Sequence, residues 1–562
     1  MSVSSEEQTA KPRSALDLPA LQARLSERGA KHAWRSLEEL ADTEEFQTLV
    51  RNEFPDHVTQ LLDPVGRRGF LKLMGASLAL AGASACTRQP EEKIFPYVRA
   101  PEDIVPGVPL FFATAMPFDG YGQGLLVESH MGRPTKVEGN PDHPASLGGT
   151  DVFSQASVLT LYDPDRSQVV RNIGEVQTWA NFNAALAKLL ADQKGKQGTG
   201  LHILSQPVTS PTLAQLRQTL LNTYPQATWH QTAGVGADAS HTATRTAFGR
   251  PLDIVYHFDK AARVLSLDAD FLGGGPAMVR SAKDFMARRR IEEGGGASMN
   301  RLYVVETAPT NTGATADHRL PVRPVEVGEV ALGVARGLGL PVRAPVGIDA
   351  HVDWINAVVR DLQAHQGGSV VVAGPWQPAG VHLLAAAINQ VLGAESSTLT
   401  YTEPVEIDPS DHSQSLRDLA GAMEAGQVEV LVMLDVNPAY DAPADLEFRQ
   451  RLAKVGTRIH YGLYYDETAE LSHWHIPATH YLESWGDVRA FDGTASVVQP
   501  LIAPLYEGKS ILEVAAALNG QADRTSYDLV RETWKPQLSG DFEARWRKVV
   551  HDGVIPGTAS AP

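Results

Sequence analysis

The sequence predicts a two-lobed α/β protein whose mostly parallel, doubly wound sheets follow a small N-terminal β-hairpin domain. Short β-branched or apolar runs recur along the chain and read as strands: 201–204, 264–267, 302–305, 370–373 and 430–434. Helical patterns lie between these runs, for example over 213–224 and 381–392. Strands that alternate with helices are typical of parallel sheets covered by helices on both faces.

The chain divides into seven segments, and its 562 residues, 43% of them apolar, suffice to bury large cores. In order, we predict an N-terminal extension at 1–66, an export-signal segment at 67–86, an extended Pro-rich linker at 87–110, a small β domain at 111–165, a first α/β lobe at 166–340, a second α/β lobe at 341–535 and a C-terminal tail at 536–562. The boundary between the lobes falls at a stretch rich in Pro, Val and Gly around 340–347.

A twin-arginine export signal is predicted inside the chain rather than at its start. It combines paired arginines, a Phe-Leu-Lys step and an apolar run over 73–85, and its key residues are Arg67, Arg68, Phe70, Leu71 and Lys72. The run is shorter than the roughly 20 residues that a membrane-spanning helix needs, so we predict no stable span. The expected location is the periplasmic face of the cytoplasmic membrane.

Cys86 ends the apolar run and is the only cysteine of the chain. Small residues precede it, so it is a candidate lipidation site, although one acyl chain binds a membrane only marginally. A single thiol excludes an internal disulfide and any iron–sulfur cluster held by cysteines of this chain. The net charge of −17 argues against nucleic-acid binding, which needs basic patches.

The most informative motif is a hairpin-like segment at 124–144 that ends in EGNPDHP, followed by YDPDR at 162–166. This pattern resembles the amino-terminal signature of the molybdopterin oxidoreductases, because both motifs and the distance between them agree. In that family a small sheet carries three cysteines before the hairpin and a fourth at a Gly-rich turn, which together hold a four-iron cluster. Here the first stretch, 113–122, contains no thiol and the fourth position is Asp151. The resemblance therefore implies a vestigial iron–sulfur-type domain without its cluster.

The pterin site of the family is also altered in this sequence. Residues 306–312 and 316–324 resemble the strand and loop that contact one pterin nucleotide, so vestigial pterin-site positions are Asp317, Arg323 and Asn437. After Pro324 the family usually reads PGTD, whereas this chain has Val325 and Glu326, and a carboxylate would repel a pyrophosphate. No thiol is present to bind molybdenum, and an Asp or Ser ligand stays open.

A narrower resemblance covers residues 33–555. The segments WRSLEEL at 34–40, YGLYYDETA at 461–469 and HWHIPATHYLESWGD at 473–487 are similar to the molybdopterin-type half of the B subunit of alternative complex III. That resemblance implies a chain without cofactor of its own, beside an iron–sulfur ferredoxin-like subunit or half, a polytopic quinol-oxidising membrane subunit, and multihaem and monohaem cytochrome c subunits. Iron–sulfur clusters and haem are then expected in these partners.

Three function classes follow. The favoured one is a cofactor-free structural and docking subunit of a quinol oxidoreductase, with no catalytic residue of its own. The alternatives are an active molybdenum oxidoreductase of the polysulfide or thiosulfate reductase type, which uses a separate iron–sulfur subunit, and an exported lipoprotein with a binding role. The histidines at 473, 475 and 480 suit zinc or iron by residue type. We interpret them as structural.

Overall fold

A computed structural model describes residue 105 and residues 107–234, 236–290 and 299–562. These residues belong to one compact unit, Pro101–Pro562. The predicted extension at 1–66, the signal residues Arg67, Arg68, Phe70, Leu71 and Lys72, and Cys86 lie outside the described residues. Within the described ranges, no helix is long and apolar enough to span a bilayer.

The strands of the described ranges are numbered in chain order. They are β1 (Leu110–Phe118), β2 (Tyr121–His130), β3 (Arg133–Gly139), β4 (Val170–Asn172), β5 (Glu175–Gln177), β6 (Leu201–Ser205), β7 (Thr228–Gln231), β8 (Asp253–Tyr256), β9 (Arg263–Leu267), β10 (Arg301–Glu306), β11 (His318–Pro321), β12 (Ser369–Ala373), β13 (Leu399–Thr402), β14 (Val430–Leu434), β15 (Thr457–Gly462), β16 (Trp474–Pro477), β17 (Gly486–Arg489) and β18 (Ala495–Val498).

The α-helices of the same ranges alternate with these strands over most of the chain. They are α1 (Val152–Leu161), α2 (Trp179–Gly195), α3 (Pro211–Thr223), α4 (Asp238–Phe248), α5 (Met278–Ala287), α6 (Asn311–Thr315), α7 (Pro324–Gly337), α8 (Val352–Ala364), α9 (Ala379–Val391), α10 (His412–Glu424), α11 (Pro438–Asp441), α12 (Phe448–Leu452), α13 (Glu467–Glu470), α14 (Ile511–Leu518), α15 (Ser526–Trp534) and α16 (Phe542–Asp552).

The small N-terminal domain is an antiparallel sheet of order β1-β2-β3, as the sequence predicted. The turn between β1 and β2 places Asp119 and Gly120 at φ 48° and 83°, the left-handed conformations that tight hairpins favour. The sheet packs on α1 through buried apolar side chains: Met116, Leu125, Val127, Val137 and Leu161.

The larger sheet has seven strands in the order β5-β4-β16-β15-β14-β6-β7. The five strands from β16 to β7 are parallel, while β4 and β5 add an antiparallel edge. Because successive side chains of a strand point to opposite faces, the alternating residues of β14 enter two cores. Val432 joins the core with α2, α3 and α14, and Met433 joins the core with α10 and α12.

A second sheet of order β11-β10-β9-β12 is parallel throughout. Helices α7, α8 and α9 cover one face, where Leu265 of β9 is buried, and α5 covers the other face, where Val264 is buried. The two sheets together confirm the predicted fold class of mostly parallel, doubly wound α/β lobes.

The lobes are not the consecutive segments that the sequence analysis predicted. Strand β6 from the first predicted segment pairs with β14 from the second, and β12 from the second pairs with β9 from the first. The four-stranded sheet is therefore built from the middle of the chain, between β7 and β14. Strand patterns identify strands but not their neighbours, because pairing depends on which buried surfaces match.

The segment at 536–562, predicted as a tail, contains the packed helix α16. Trp546 of this helix is buried and stacks with Phe542 at 5.9 Å between ring centroids. The amide of Asn140 donates to the backbone oxygen of Asp552 at 2.8 Å, which ties the end of α16 to the small sheet.

Candidate functional site

The carboxyl ends of parallel strands form the edge at which open α/β sheets bind ligands. In the four-stranded sheet, Asp268 follows β9 at φ 57°. Its carboxylate accepts hydrogen bonds from the indole of Trp376 at 2.8 Å, the amide of Gln377 at 2.9 Å and the backbone N–H of Thr307 at 3.0 Å. The strand ends β9, β10 and β12 are therefore joined through one buried carboxylate.

Two more carboxylates occupy the same edge. Asp270 accepts from the backbone N–H of Thr312 at 2.9 Å and from its hydroxyl at 2.7 Å. Glu306, at the end of β10, is buried, pairs with Arg319 and accepts from the hydroxyl of Thr310 at 2.6 Å. These acidic side chains use backbone and hydroxyl donors that an anionic ligand would otherwise meet.

Arg323 lies at this edge, after β11, and is the N-cap of α7. Its side chain is exposed and pairs with Glu326 at 2.7 Å, and its backbone N–H donates to the same carboxylate at 2.8 Å. The hydrogen bonds from Arg323 lower the pKa of Glu326. The departure from the family sequence at this position thus places a carboxylate on the start of α7.

Asp317 lies at the opposite edge of the four-stranded sheet. It precedes β11 and accepts from the backbone N–H of Leu302, at the start of β10, at 2.7 Å. It also pairs with Arg289. The structure therefore does not bring Asp317 together with Arg323, although the sequence analysis assigned both residues to one vestigial pterin site.

Asn437 lies beyond the carboxyl end of β14, in the seven-stranded sheet. Its amide donates to Glu467 at 2.8 Å, and its oxygen accepts from the hydroxyl of Thr468 at 2.7 Å. Asp435 immediately follows β14 at φ 55°, the same arrangement as Asp268 after β9.

The start of α3 is a second helix N-terminus that holds a carboxylate of this chain. Asp487 of β17 is buried and accepts from the hydroxyl of Thr212 at 2.6 Å and from its backbone N–H at 3.2 Å. It also accepts from the hydroxyl of Ser210 and, at 2.8 Å, from the indole of Trp534. Burial raises the pKa of Asp487, while these hydrogen bonds act in the opposite direction.

The segment predicted to be a vestigial iron–sulfur-type domain is held by hydrogen bonds within the chain. Thr114 donates to the backbone oxygen of Gln499 at 3.1 Å, and the side chain of Gln499 donates to the backbone oxygens of Ala113 and, at 2.9 Å, of Val550. Asp151 is the N-cap of α1 and accepts from Ser154 N–H at 2.6 Å. The positions that carry cysteines in the family thus serve here as strand and cap residues.

The three histidines weighed as ligands have different partners. His473 accepts from the backbone N–H of Arg458 at 3.1 Å, His475 lies 2.6 Å from the hydroxyl of Ser167, and His480 lies 3.0 Å from the hydroxyl of Thr160. Among the described residues, no group of three or more His, Cys, Asp or Glu side chains is arranged to hold a metal ion. These contacts fit their structural interpretation.

Two segments that carried the family resemblance meet in the structure. Arg166 of the YDPDR motif donates to Glu483 of the 473–487 segment in a two-bond pair at 3.1 and 2.6 Å. Both side chains are only 1% exposed. The hydroxyls of Ser157 and Tyr481 lie 2.7 Å apart in the same contact. The motifs are therefore parts of one packed joint between the small domain and the seven-stranded lobe.

Taken together, several of the described strand and helix ends hold acidic side chains that accept hydrogen bonds from donors an anionic ligand could otherwise use. A helix N-terminus binds anions through its unpaired N–H groups and its dipole. At α3 and α7 those groups are used by Asp487 and Glu326, and Asp268 and Asp270 use donors at the edge of the four-stranded sheet. These particular donors are therefore not free to bind an anionic group.

Comparison with known proteins gives a consistent picture. No family model matches the chain. The chain is 26% identical over 504 residues to the molybdopterin-binding-like subunit of menaquinone reductase from Nitratidesulfovibrio vulgaris, which covers 81% of this chain and 72% of that protein. Acetylene hydratase from Pelobacter acetylenicus, an enzyme of the molybdopterin family, superposes with a TM-score of 0.55 at 13% identity, over 77% of this chain and 73% of that one. The chain therefore has the fold of that enzyme, and its sequence is similar to that of the molybdopterin-binding-like subunit, in line with the resemblance of its motifs.

Proposed function

We propose that the chain is a subunit of a membrane quinone oxidoreductase complex, in which it is a structural and docking body rather than a redox carrier. The supporting relative is itself named as a subunit of menaquinone reductase. The observation that carries the cofactor-free role is the set of carboxylates, above all Asp487 and Glu326, that accept hydrogen bonds from backbone N–H groups at helix starts, donors that a phosphate could otherwise use. A rigid α/β body with these contacts can hold electron-carrying neighbours in fixed positions.

We further propose that this complex is of the alternative complex III type and that the chain lies on the periplasmic face of the cytoplasmic membrane. Its support is the sequence resemblance of 34–40, 461–469 and 473–487 and the internal twin-arginine pattern. The partners would be an iron–sulfur ferredoxin-like subunit, a polytopic quinol-oxidising subunit and cytochrome c subunits. The net charge of −17 would attract a basic cytochrome c at low ionic strength, an effect that salt weakens.

Purification through an affinity tag on this chain, from detergent-solubilised membranes, tests the assembly. We expect the tagged chain to elute with iron–sulfur, polytopic and c-type haem subunits in fixed ratios, identified by mass spectrometry and haem staining. A second tagged protein with a twin-arginine signal, purified in parallel, controls for adventitious capture. Recovery of the chain alone, soluble and monodisperse without detergent, would contradict the proposed function.

A further inference from the structure

Helix α1 buries two serines beside Leu161 and exposes three large apolar side chains, unlike an ordinary surface helix. Ser154 and Ser157 are 1% and 6% exposed, whereas Val152 and Leu159 are each 71% exposed and Phe153 is 50% exposed. Surface helices normally turn their apolar stripe to the core and their polar face to water. The spacing of 152, 156 and 159 places Val152, the exposed Ala156 and Leu159 on one side of the helix.

The inward side of α1 includes polar residues beside Leu161, and the 473–487 segment supplies hydrogen-bond partners for Ser157 and Thr160. The hydroxyl of Ser157 lies 2.7 Å from that of Tyr481, and the hydroxyl of Thr160 lies 3.0 Å from a ring nitrogen of His480. Buried hydroxyl groups are tolerated when they are hydrogen-bonded. Packing within the chain therefore explains the burial of Ser157, whereas Val152 and Leu159 stay exposed in the described part of the chain.

The rim of this apolar face is acidic on balance, although the exposed Arg133 of β3 lies near Tyr162 at the end of α1. Asp151 caps the first turn, and the exposed Asp165 follows the last turn. Phe153 stacks on Phe118 at 4.8 Å between ring centroids, which brings the exposed Asp119 of the β1–β2 turn beside the helix. No Lys or Arg occurs within 152–161. A complementary surface would be apolar at its centre and basic at its rim.

We propose that the outer face of α1, formed by Val152, Phe153, Ala156 and Leu159, is the docking surface for another subunit of the complex, one that presents an apolar patch edged by Lys and Arg. This inference rests on the proposed function, because it takes its partner from that assembly. Exposed apolar patches with polar rims mark protein interfaces.

Charge argues against other occupants of this face. An anionic membrane favours helices with a basic polar face, which α1 lacks. The amphipathic N-terminal segment at 34–54 carries six carboxylates against two arginines, and a second copy of the chain would bring the same acidic rim. Like charges facing each other disfavour both contacts.

The first test replaces both aliphatic side chains in the tagged full-length chain, Val152→Ser with Leu159→Ser. Because both are exposed, we expect an unchanged melting temperature for the isolated chain but at least about tenfold less of the partner subunit recovered per chain. The matched control is Val325→Ser with Val346→Ser, two exposed valines (76% and 70%) away from α1, for which recovery should stay unchanged. Full recovery with the α1 variant would overturn the docking surface while leaving the proposed function intact.

The second test identifies the occupant directly. A photo-crosslinking amino acid at position 159 should form a bond to one co-purified subunit, at a site flanked by Lys or Arg, and the same group at position 325 should not. Crosslinks to residues 34–54 of the same chain, to a second copy of the chain, or to lipid would each contradict the proposal. If the unmodified chain purifies without partners, the proposed function itself fails, and the docking surface fails with it.

Discussion

Replacing Arg166 by Met should lower the free energy of unfolding by about 3–5 kcal/mol. The guanidinium forms two hydrogen bonds to Glu483 with both side chains 1% exposed, so the substitution leaves a buried carboxylate without its cation. The measurement is chemical denaturation of the purified chain beside Arg171→Met, whose arginine donates to a backbone oxygen in an exposed turn. A loss no larger than that of the control would show that the joint between the motifs does not stabilise the fold.

The same pair predicts a specific pH dependence. Burial raises the pKa of Glu483, but the hydrogen bonds from Arg166 and from the backbone N–H groups of Leu505 and His480 outweigh it, and the pKa is lowered overall. A carboxyl whose folded pKa is depressed stabilises the protein above its unfolded pKa. The stability difference between the wild type and Glu483→Gln should therefore be full at neutral pH and shrink as the pH falls through the folded pKa. A difference independent of pH would contradict this assignment.

Replacing Asp487 by Ala should cost about 3 kcal/mol or more, because several buried donors lose their acceptor at once. The donors are the hydroxyl of Ser210, the N–H and hydroxyl of Thr212, and the indole of Trp534. Asp487→Asn keeps one oxygen and should cost less than the alanine variant. An exposed acid, changed in Asp165→Asn, should alter stability by at most about 0.5 kcal/mol.

Denaturation midpoints for these variants, with near-ultraviolet circular dichroism of the tryptophans, check the expectation. Trp534 is fully buried, so its signal should change in Asp487→Ala at conditions where the chain is still folded. Equal stability of the alanine and wild-type proteins would mean that Asp487 does not organise the start of α3.

The fold class was accessible from sequence because parallel strands and helices leave periodic apolar patterns, and the EGNPDHP and YDPDR motifs pointed to one family. Pairing between distant segments was not accessible. Arg166 and Glu483 are 317 positions apart, and no local pattern relates them. The predicted lobe boundary near residue 340 was wrong for the same reason, since β6 and β14 pair across more than 200 intervening residues.

The candidate site was predictable only in part. Arg323 and Asn437 follow the carboxyl ends of strands, where open α/β sheets bind ligands. Asp317 instead lies at the amino end of a strand, because it directly precedes β11. Asp268 and Asp435 were missed, although an acidic residue directly after a buried strand is a usable signal. Asp487 had no such signal, because its role at α3 depends on a contact from β17.

The sequence of α1 indicates an apolar helix, but it does not indicate that the apolar side chains are exposed. Ser157 contacts Tyr481 and Thr160 contacts His480, each across more than 300 positions of the sequence. The exposed apolar face of α1 supports the proposed assembly with another subunit.

The most direct test of the central claim is molybdenum and pterin analysis of the complex purified from membranes through a tag on this chain. We predict iron and haem from the partner subunits, with molybdenum and the fluorescent pterin product far below one per chain. Molybdenum and pterin at one per chain would contradict the docking role and make this chain the catalytic subunit.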